Sequence, residues 1–219
     1  MGSLMSTESE NYSSAVLERF FSVVPASGHS RRMGRPKLLL PWKGVTVIEH
    51  VVQTLLDAEC SEVLVVIRSE DQLLQEAVRR TRATIVIPPV NPTDMRMSVQ
   101  YGLQKLVQSC NPQPCDAWFL VPADHPTLEV EWVKTLQQVY REHPLEIHVP
   151  VYEGRRGHPV LFPWSLAQEV TALPEDKGIN ALLHAHPSIV REQSFHFREI
   201  LDDLDTPDDY RRLNKEHRF

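Results

Sequence analysis

Phe20-Phe-Ser-Val-Val24 runs directly into Pro25-Ala-Ser-Gly-His-Ser-Arg-Arg-Met-Gly-Arg-Pro-Lys37. A short run of aromatic and β-branched residues reads as a buried strand. The loop behind it gathers Gly28, Gly34 and the basic side chains Arg31, Arg32, Arg35 and Lys37. Glycine lets backbone N–H groups approach an anion because no Cβ holds the ligand off. A basic cluster is also the ordinary composition of a solvated face or a localisation patch. Here it sits between the strand and a second apolar run, Leu38-Leu-Leu-Pro-Trp42, and that context favours an anion-binding loop. The spacing is not Walker A, because five residues separate Gly28 from Gly34 and no Gly-Lys-Ser/Thr follows. Nor is there a G-x-G-x-x-G dinucleotide fingerprint.

Outward from that stretch, short apolar runs alternate with segments of helical periodicity, the pattern of a mostly parallel α/β sheet. Strands are expected at residues 20–24, 63–67, 84–87, 117–121, 147–151 and 160–162. Val47, Val51, Leu55 and Ala58 mark one helix face, and Val99, Leu103, Leu106 and Val107 a second. Trp132, Val133, Leu136, Val139 and Tyr140 mark a third, with a more charged candidate at 71–80. The last third departs from alternation. A strand pair around Arg155-Arg-Gly157, helices at 165–172 and 178–185, and a last strand at 194–197 suggest an antiparallel extension. Thr206-Pro-Asp-Asp-Tyr210 reads as a helix start, with Thr206 as N-cap, proline first and acids in the first turn.

The chain has 219 residues, and residues 19–219 read as one domain behind a polar, disordered leader at 1–18. A net charge of −6 gives no general affinity for nucleic acid or an anionic membrane, which makes the local basic loop more informative. Cys60, Cys110 and Cys115 are too few for a disulfide framework and fit a reduced, cytoplasmic compartment. No apolar run approaches the roughly 18 residues of a membrane span.

Ligands of open α/β sheets collect beyond the carboxyl ends of the strands. The loop after residue 87 carries Asn91 and leads to Ser98, readable as a helix cap or as a ligand contact. The loop after residue 121 runs Pro122-Ala-Asp124-His-Pro126, where Asp124 suits a Mg²⁺ ligand or an Asx-turn, and the residues alone leave both open. In Gly157-His158-Pro159 a turn histidine is more often structural than catalytic.

The pattern Gly28-x-Ser30-x-Arg32-Met33-Gly34-x-Pro36-Lys37-Leu-Leu-Leu-Pro-Trp42-x-Gly44-x-Thr46 resembles the signature loop of MobA-like nucleotidyltransferases, in particular the molybdenum cofactor cytidylyltransferase branch. That resemblance implies a single-domain, Rossmann-like three-layer fold of the nucleotide-diphosphosugar transferase type. It also implies a Mg²⁺-dependent reaction of a nucleoside triphosphate, CTP in that branch, with molybdopterin as acceptor and a molybdoenzyme as client. Carried over by residue, Ala26, Ser27, Gly28, Ser30, Arg32, Met33, Gly34, Lys37, Asn91 and Ser98 would hold the nucleotide. Lys37, Arg32 and Asp124 would be catalytic. Asp124, in the place of the family's Gly-Asp-x-Pro aspartate, would bind the metal with Asp205, whose segment Asp203-Leu-Asp205-Thr-Pro-Asp-Asp209-Tyr210 also matches. Arg156, Gly157 and His158, within Gly-Arg-Arg-Gly-His-Pro, would face the pterin. The chain departs from the family at Pro25 and Ser27, at Asp94 and at Ala123. These departures motivate two rival readings: another nucleotide or acceptor, and a non-catalytic cofactor-binding or insertion partner.

Overall fold

The computed structural model describes residues 18–216. All of the expected leader but Glu18 lies outside them. Strand β1 (Phe20–Pro25) is the hub of the sheet. Its alternating side chains face two cores, Phe20 and Val24 one way and Phe21 and Val23 the other. A hairpin of β2 (Pro41–Trp42) and β3 (Val45–Thr46) then leads into α1 (Val47–Asp57). Thr46 starts α1 with a capping box. Its hydroxyl accepts the Glu49 N–H at 3.4 Å, and the Glu49 carboxylate accepts the Thr46 N–H at 2.9 Å. Arg80 donates to that carboxylate as well and, with Thr46, holds it down at about 2.

The remaining elements are β4 (Glu62–Val66), α2 (Gln72–Arg79), β5 (Thr84–Val86), α3 (Met95–Cys110), β6 (Ala117–Leu120) and α4 (Val130–Glu142). Beyond them come β7 (Ile147–Tyr152), β8 (Arg155–Arg156), β9 (Val160–Pro163), α5 (Ala167–Thr171), α6 (Asn180–Ala185), β10 (Val190–Ser194) and α7 (Pro207–Glu216). Among the described residues the main sheet runs β10-β7-β9-β6-β1-β4-β5, with β8 paired to β7. Strands β5, β4, β1 and β6 are parallel, and β9 is antiparallel to both β6 and β7. Helices α1, α2, α4 and α7 bury Val51, Val78, Leu136 and Leu213 on one face, while α3, α5 and α6 bury Leu103, Val170 and Leu182 on the other. Two helical layers thus enclose one sheet, the three-layer fold that the resemblance implies around the mostly parallel sheet that the alternation predicts. No described helix is long and apolar enough to cross a membrane.

Two expectations are corrected. The last strand is Val190–Ser194, not 194–197, and it runs parallel to β7. It lies at the sheet edge, where the polar sequence VREQS is tolerated because only one side must pair. The apolar Phe195 and Phe197 that suggested the later strand instead pack their rings against Trp132. Val107, placed on the buried face of α3 by periodicity, is exposed.

Candidate active site

From β1 the chain steps outward through β4 and β5, then returns to the other side of β1 as β6. The loops after β1 and β6 therefore diverge, and a cleft opens between them at this topological switch point. It has a volume of about 710 Å³ and is lined from the β1 loop by Ala26, Ser27, Gly28, Ser30, Arg32 and Lys37. Asn91 and Asp94 come from the segment before α3, Asp124 from the β6 loop, and Asp205 from the chain before α7.

The β1 loop builds itself around Ser30. Its backbone sits in the left-handed region (φ 50°), and its carbonyl accepts the N–H groups of Met33 at 3.1 Å and Gly34 at 3.2 Å. Its hydroxyl accepts the Lys37 N–H at 3.3 Å. Met33 and Leu38 are buried in the core and anchor the two ends of the turn. A Cβ on Gly28 would meet no protein atom within 4 Å, so the glycine leaves room open on the cleft side. Lys37 is fixed by this turn and points its ammonium at two carboxylates, donating to Asp124 Oδ2 at 2.5 Å and Asp205 Oδ1 at 2.8 Å. Arg32 reaches the other oxygen of Asp205 at 2.8 Å. Burial works against the Lys37 charge, but the two carboxylates outweigh it, and the pKa is raised. Lys37 is an ammonium at any physiological pH.

The opposite wall corrects two readings. Asp94, not Ser98, caps α3, its Oδ1 accepting the Met97 N–H at 2.7 Å. Its other oxygen faces Arg96 at 3.2 Å, so the charge that this departure from the family places on the cleft wall is compensated locally. Ser98 lies one turn inside the helix, fully buried, and is hydrogen-bonded to Ser27 Oγ at 2.7 Å. It therefore supports the β1 loop from behind and does not line the cleft. Met33 is corrected in the same way, since its burial in the core keeps it out of the cleft. Gly34 (φ 70°) closes the turn and lines a neighbouring hollow of about 660 Å³ toward α2. Asn91 lines the cleft and donates to Glu70 at 3.1 Å.

The residues expected on the acceptor side lie outside the cleft lining. Arg156 is exposed and pairs with Glu192 on β10 at 2.9 Å. Gly157 donates its N–H to the Pro150 carbonyl at 2.8 Å, and the His158 N–H binds the Ile200 carbonyl at 3.0 Å. The His158 ring lies 6.3 Å from that of His125, which is fully buried next to Asp124. Burial, reinforced by His125, pushes the His158 imidazole down to about 4, so it is neutral at pH 7. In the unfolded chain it titrates near 6.5. Between those values an unfolded molecule binds a proton that the folded one refuses, so stability falls as pH drops from about 6.5 to 4 and is unaffected above. An NMR titration of folded protein is expected to show no His158 inflection above about pH 5; an inflection near 6.5 would refute this.

A glycine- and arginine-rich loop at a strand end, a lysine bridging two aspartates and a switch-point cleft form one arrangement, and comparison with known proteins gives the family of the chain that carries it. The model of the MobA-like NTP transferase domain matches residues 22–190. The chain belongs to this family. It is 25% identical over 191 residues to the molybdenum cofactor cytidylyltransferase of Escherichia coli K12, covering 86% of this chain and 92% of that protein. It is 27% identical over 164 residues to a probable molybdenum cofactor guanylyltransferase of Bacillus anthracis, covering 74% and 76%. Among solved structures, Rv0371c of Mycobacterium tuberculosis H37Rv superposes with a TM-score of 0.77 at 26% identity over 91% of this chain and 99% of that one. A complex of Rv0371C with manganese superposes with a TM-score of 0.72 at 25% identity over 90% and 98%. As a MobA-like NTP transferase the chain is a nucleotidyltransferase. Sequence reasoning missed the Ser27–Ser98 contact, the Asp94 cap and the proximity of His125 to His158, since each depends on which way a side chain turns in the fold.

Proposed function

We propose that this enzyme transfers CMP from CTP to molybdopterin or its molybdenum form and releases pyrophosphate, with Mg²⁺ bound at Asp124 and Asp205. The observation that carries the reading is the Lys37 ammonium held between those two carboxylates in the lining of the cleft. An acceptor phosphate oxygen bonds to the α-phosphorus of the nucleotide, and the bond from that phosphorus to the bridging oxygen breaks. Pyrophosphate leaves with the electron pair. Such a transfer needs positioning and charge stabilisation, with no covalent intermediate on the protein. Lys37, Arg32 and the amides around Gly28 serve the triphosphate and the leaving pyrophosphate.

The donor set suits the metal. Two carboxylates that reach one ammonium also converge on the space of one small cation, and hard oxygen donors suit Mg²⁺. Among the described residues no group of three or more His, Cys, Asp or Glu side chains gathers to cage a metal. That agrees with an ion held by one or two carboxylates and by substrate phosphates. Bound there, the ion neutralises charge on phosphate oxygens.

The E. coli relative is a cytidylyltransferase and the B. anthracis relative a probable guanylyltransferase, so GTP is the second reading. Pro25 and Ser27, at the start of the β1 loop, are the departures that bear on this choice. The test mixes purified protein with Mg²⁺, molybdopterin and each nucleoside triphosphate in turn, and follows pyrophosphate. CTP is expected to give the fastest release. Faster release with GTP would reassign the base, and no release with any nucleotide would refute the reaction.

A further inference from the structure

The segment that carries Asp205 belongs to no strand; it crosses from a 3-10 turn (Arg198–Leu201) to α7. Yet Asp205 must keep a fixed separation from Asp124, which comes from a different loop. The structure ties the two segments at three levels. Lys37 bridges the two carboxylates on the cleft side. In the middle, the Leu204 N–H binds the Asp124 carbonyl at 2.9 Å, with the Leu204 side chain fully buried. Behind them, His125 Nδ1 faces Asp203 Oδ1 at 3.7 Å.

His125 is the unusual member. Its side chain is wholly buried, and neither ring nitrogen has a hydrogen-bond partner among the described residues. A buried polar group left without a hydrogen bond costs roughly 1–3 kcal/mol, so packing alone gives no reason for an imidazole at this position. Trp132 packs edge-on against it at 6.5 Å, and its polar neighbours are the His158 ring at 6.3 Å and the Asp203 carboxylate. The carboxylate facing it is Asp203, two residues before Asp205.

We propose that His125 and Asp203 are positioning residues, a brace that sets the separation of Asp124 and Asp205 and so the affinity of that carboxylate pair for a divalent cation. The inference rests on the reading of Asp124 and Asp205 as the metal-binding pair. Neither His125 nor Asp203 lines the cleft, so neither touches the nucleotide there.

The test uses Mn²⁺, read by the EPR signal of the free ion, with the full chain and CTP but no acceptor. His125→Phe is expected to leave the melting temperature near that of wild type, since it removes two buried nitrogens that lack a hydrogen bond together with the 3.7 Å approach to Asp203. It should nevertheless weaken Mn²⁺ binding about tenfold, the low end of what loss of an outer-shell partner costs a metal site. Asp203 is half-exposed, so Asp203→Asn can be made without risk to folding and should weaken binding in the same direction. Wild-type Mn²⁺ affinity in both variants would overturn the brace. Asp124→Asn and Asp205→Asn separate the two levels. If these abolish binding while His125→Phe and Asp203→Asn do not, the brace alone fails; if they too leave binding intact, the metal reading falls and the brace with it.

Discussion

Lys37→Ala should lower turnover by about 10²- to 10³-fold, the cost of deleting one preorganised donor to developing charge. The ammonium is the central charge of the cleft, touching both aspartates, and the turn around Ser30 holds its backbone in place. Its loss removes a cation from the end of the cleft proposed to take the triphosphate and leaves Asp124 and Asp205 facing each other. The fold should survive. Side-chain exposures of 25% for Asp124 and 30% for Asp205 let water solvate the freed carboxylates. Lys37→Arg should recover little, because a planar guanidinium does not fit where a compact ammonium sits 13% exposed between two oxygens. Steady-state pyrophosphate release and a melting curve check both halves. Wild-type turnover in Lys37→Ala would remove the residue from the mechanism.

The largest effect on stability is expected at Gly157→Ala. A Cβ there would lie 2.3 Å from the Ile200 carbonyl oxygen and 2.9 Å from its carbon. Both are backbone atoms, which cannot swing aside as a side chain can. That same carbonyl accepts the His158 N–H at 3.0 Å, so the clash and the hydrogen bond compete for one position. Overpacking of this kind costs about 1–3 kcal/mol. The strained hydrogen bond adds about 1 kcal/mol. A total near 3 kcal/mol lowers the melting temperature of a chain this size by roughly 6–12 °C. The displacement would reach function too. Ile200 leads directly into the segment of Asp203 and Asp205, so turnover should fall more than the unfolded fraction explains. A melting temperature within about 2 °C of wild type would show that the turn at Gly157 and the 3-10 turn of Ile200 part at little cost.

These two positions were legible to different degrees. Gly157 stands out in a turn beside His158 and Pro159, but its reason is a carbonyl 43 residues on, at Ile200. Lys37 and Asp124 were visible as motif residues after strands. Their direct contact, across 87 residues of chain, was not. At the start of α3 the sequence suggested Ser98 as the cap, and the structure gives that role to Asp94, one turn earlier. Ser98 lies inside the helix in contact with Ser27, a partner 71 residues away that no local pattern records. The edge strand β10 was misplaced because periodicity detects buried faces, and an edge strand of VREQS offers little apolar signal.

The sequence alone determined the alternation of strands and helices and the glycine- and arginine-rich loop behind β1, because hydrophobic period and glycine spacing are local properties of the chain. Tertiary structure decided which groups meet. Lys37, Asp124 and Asp205 converge only because β6 returns beside β1 and the chain before α7 crosses over the β6 loop. His125 is set against Asp203 by that same crossing. No local pattern records such meetings, since they are fixed by how distant segments share one buried volume.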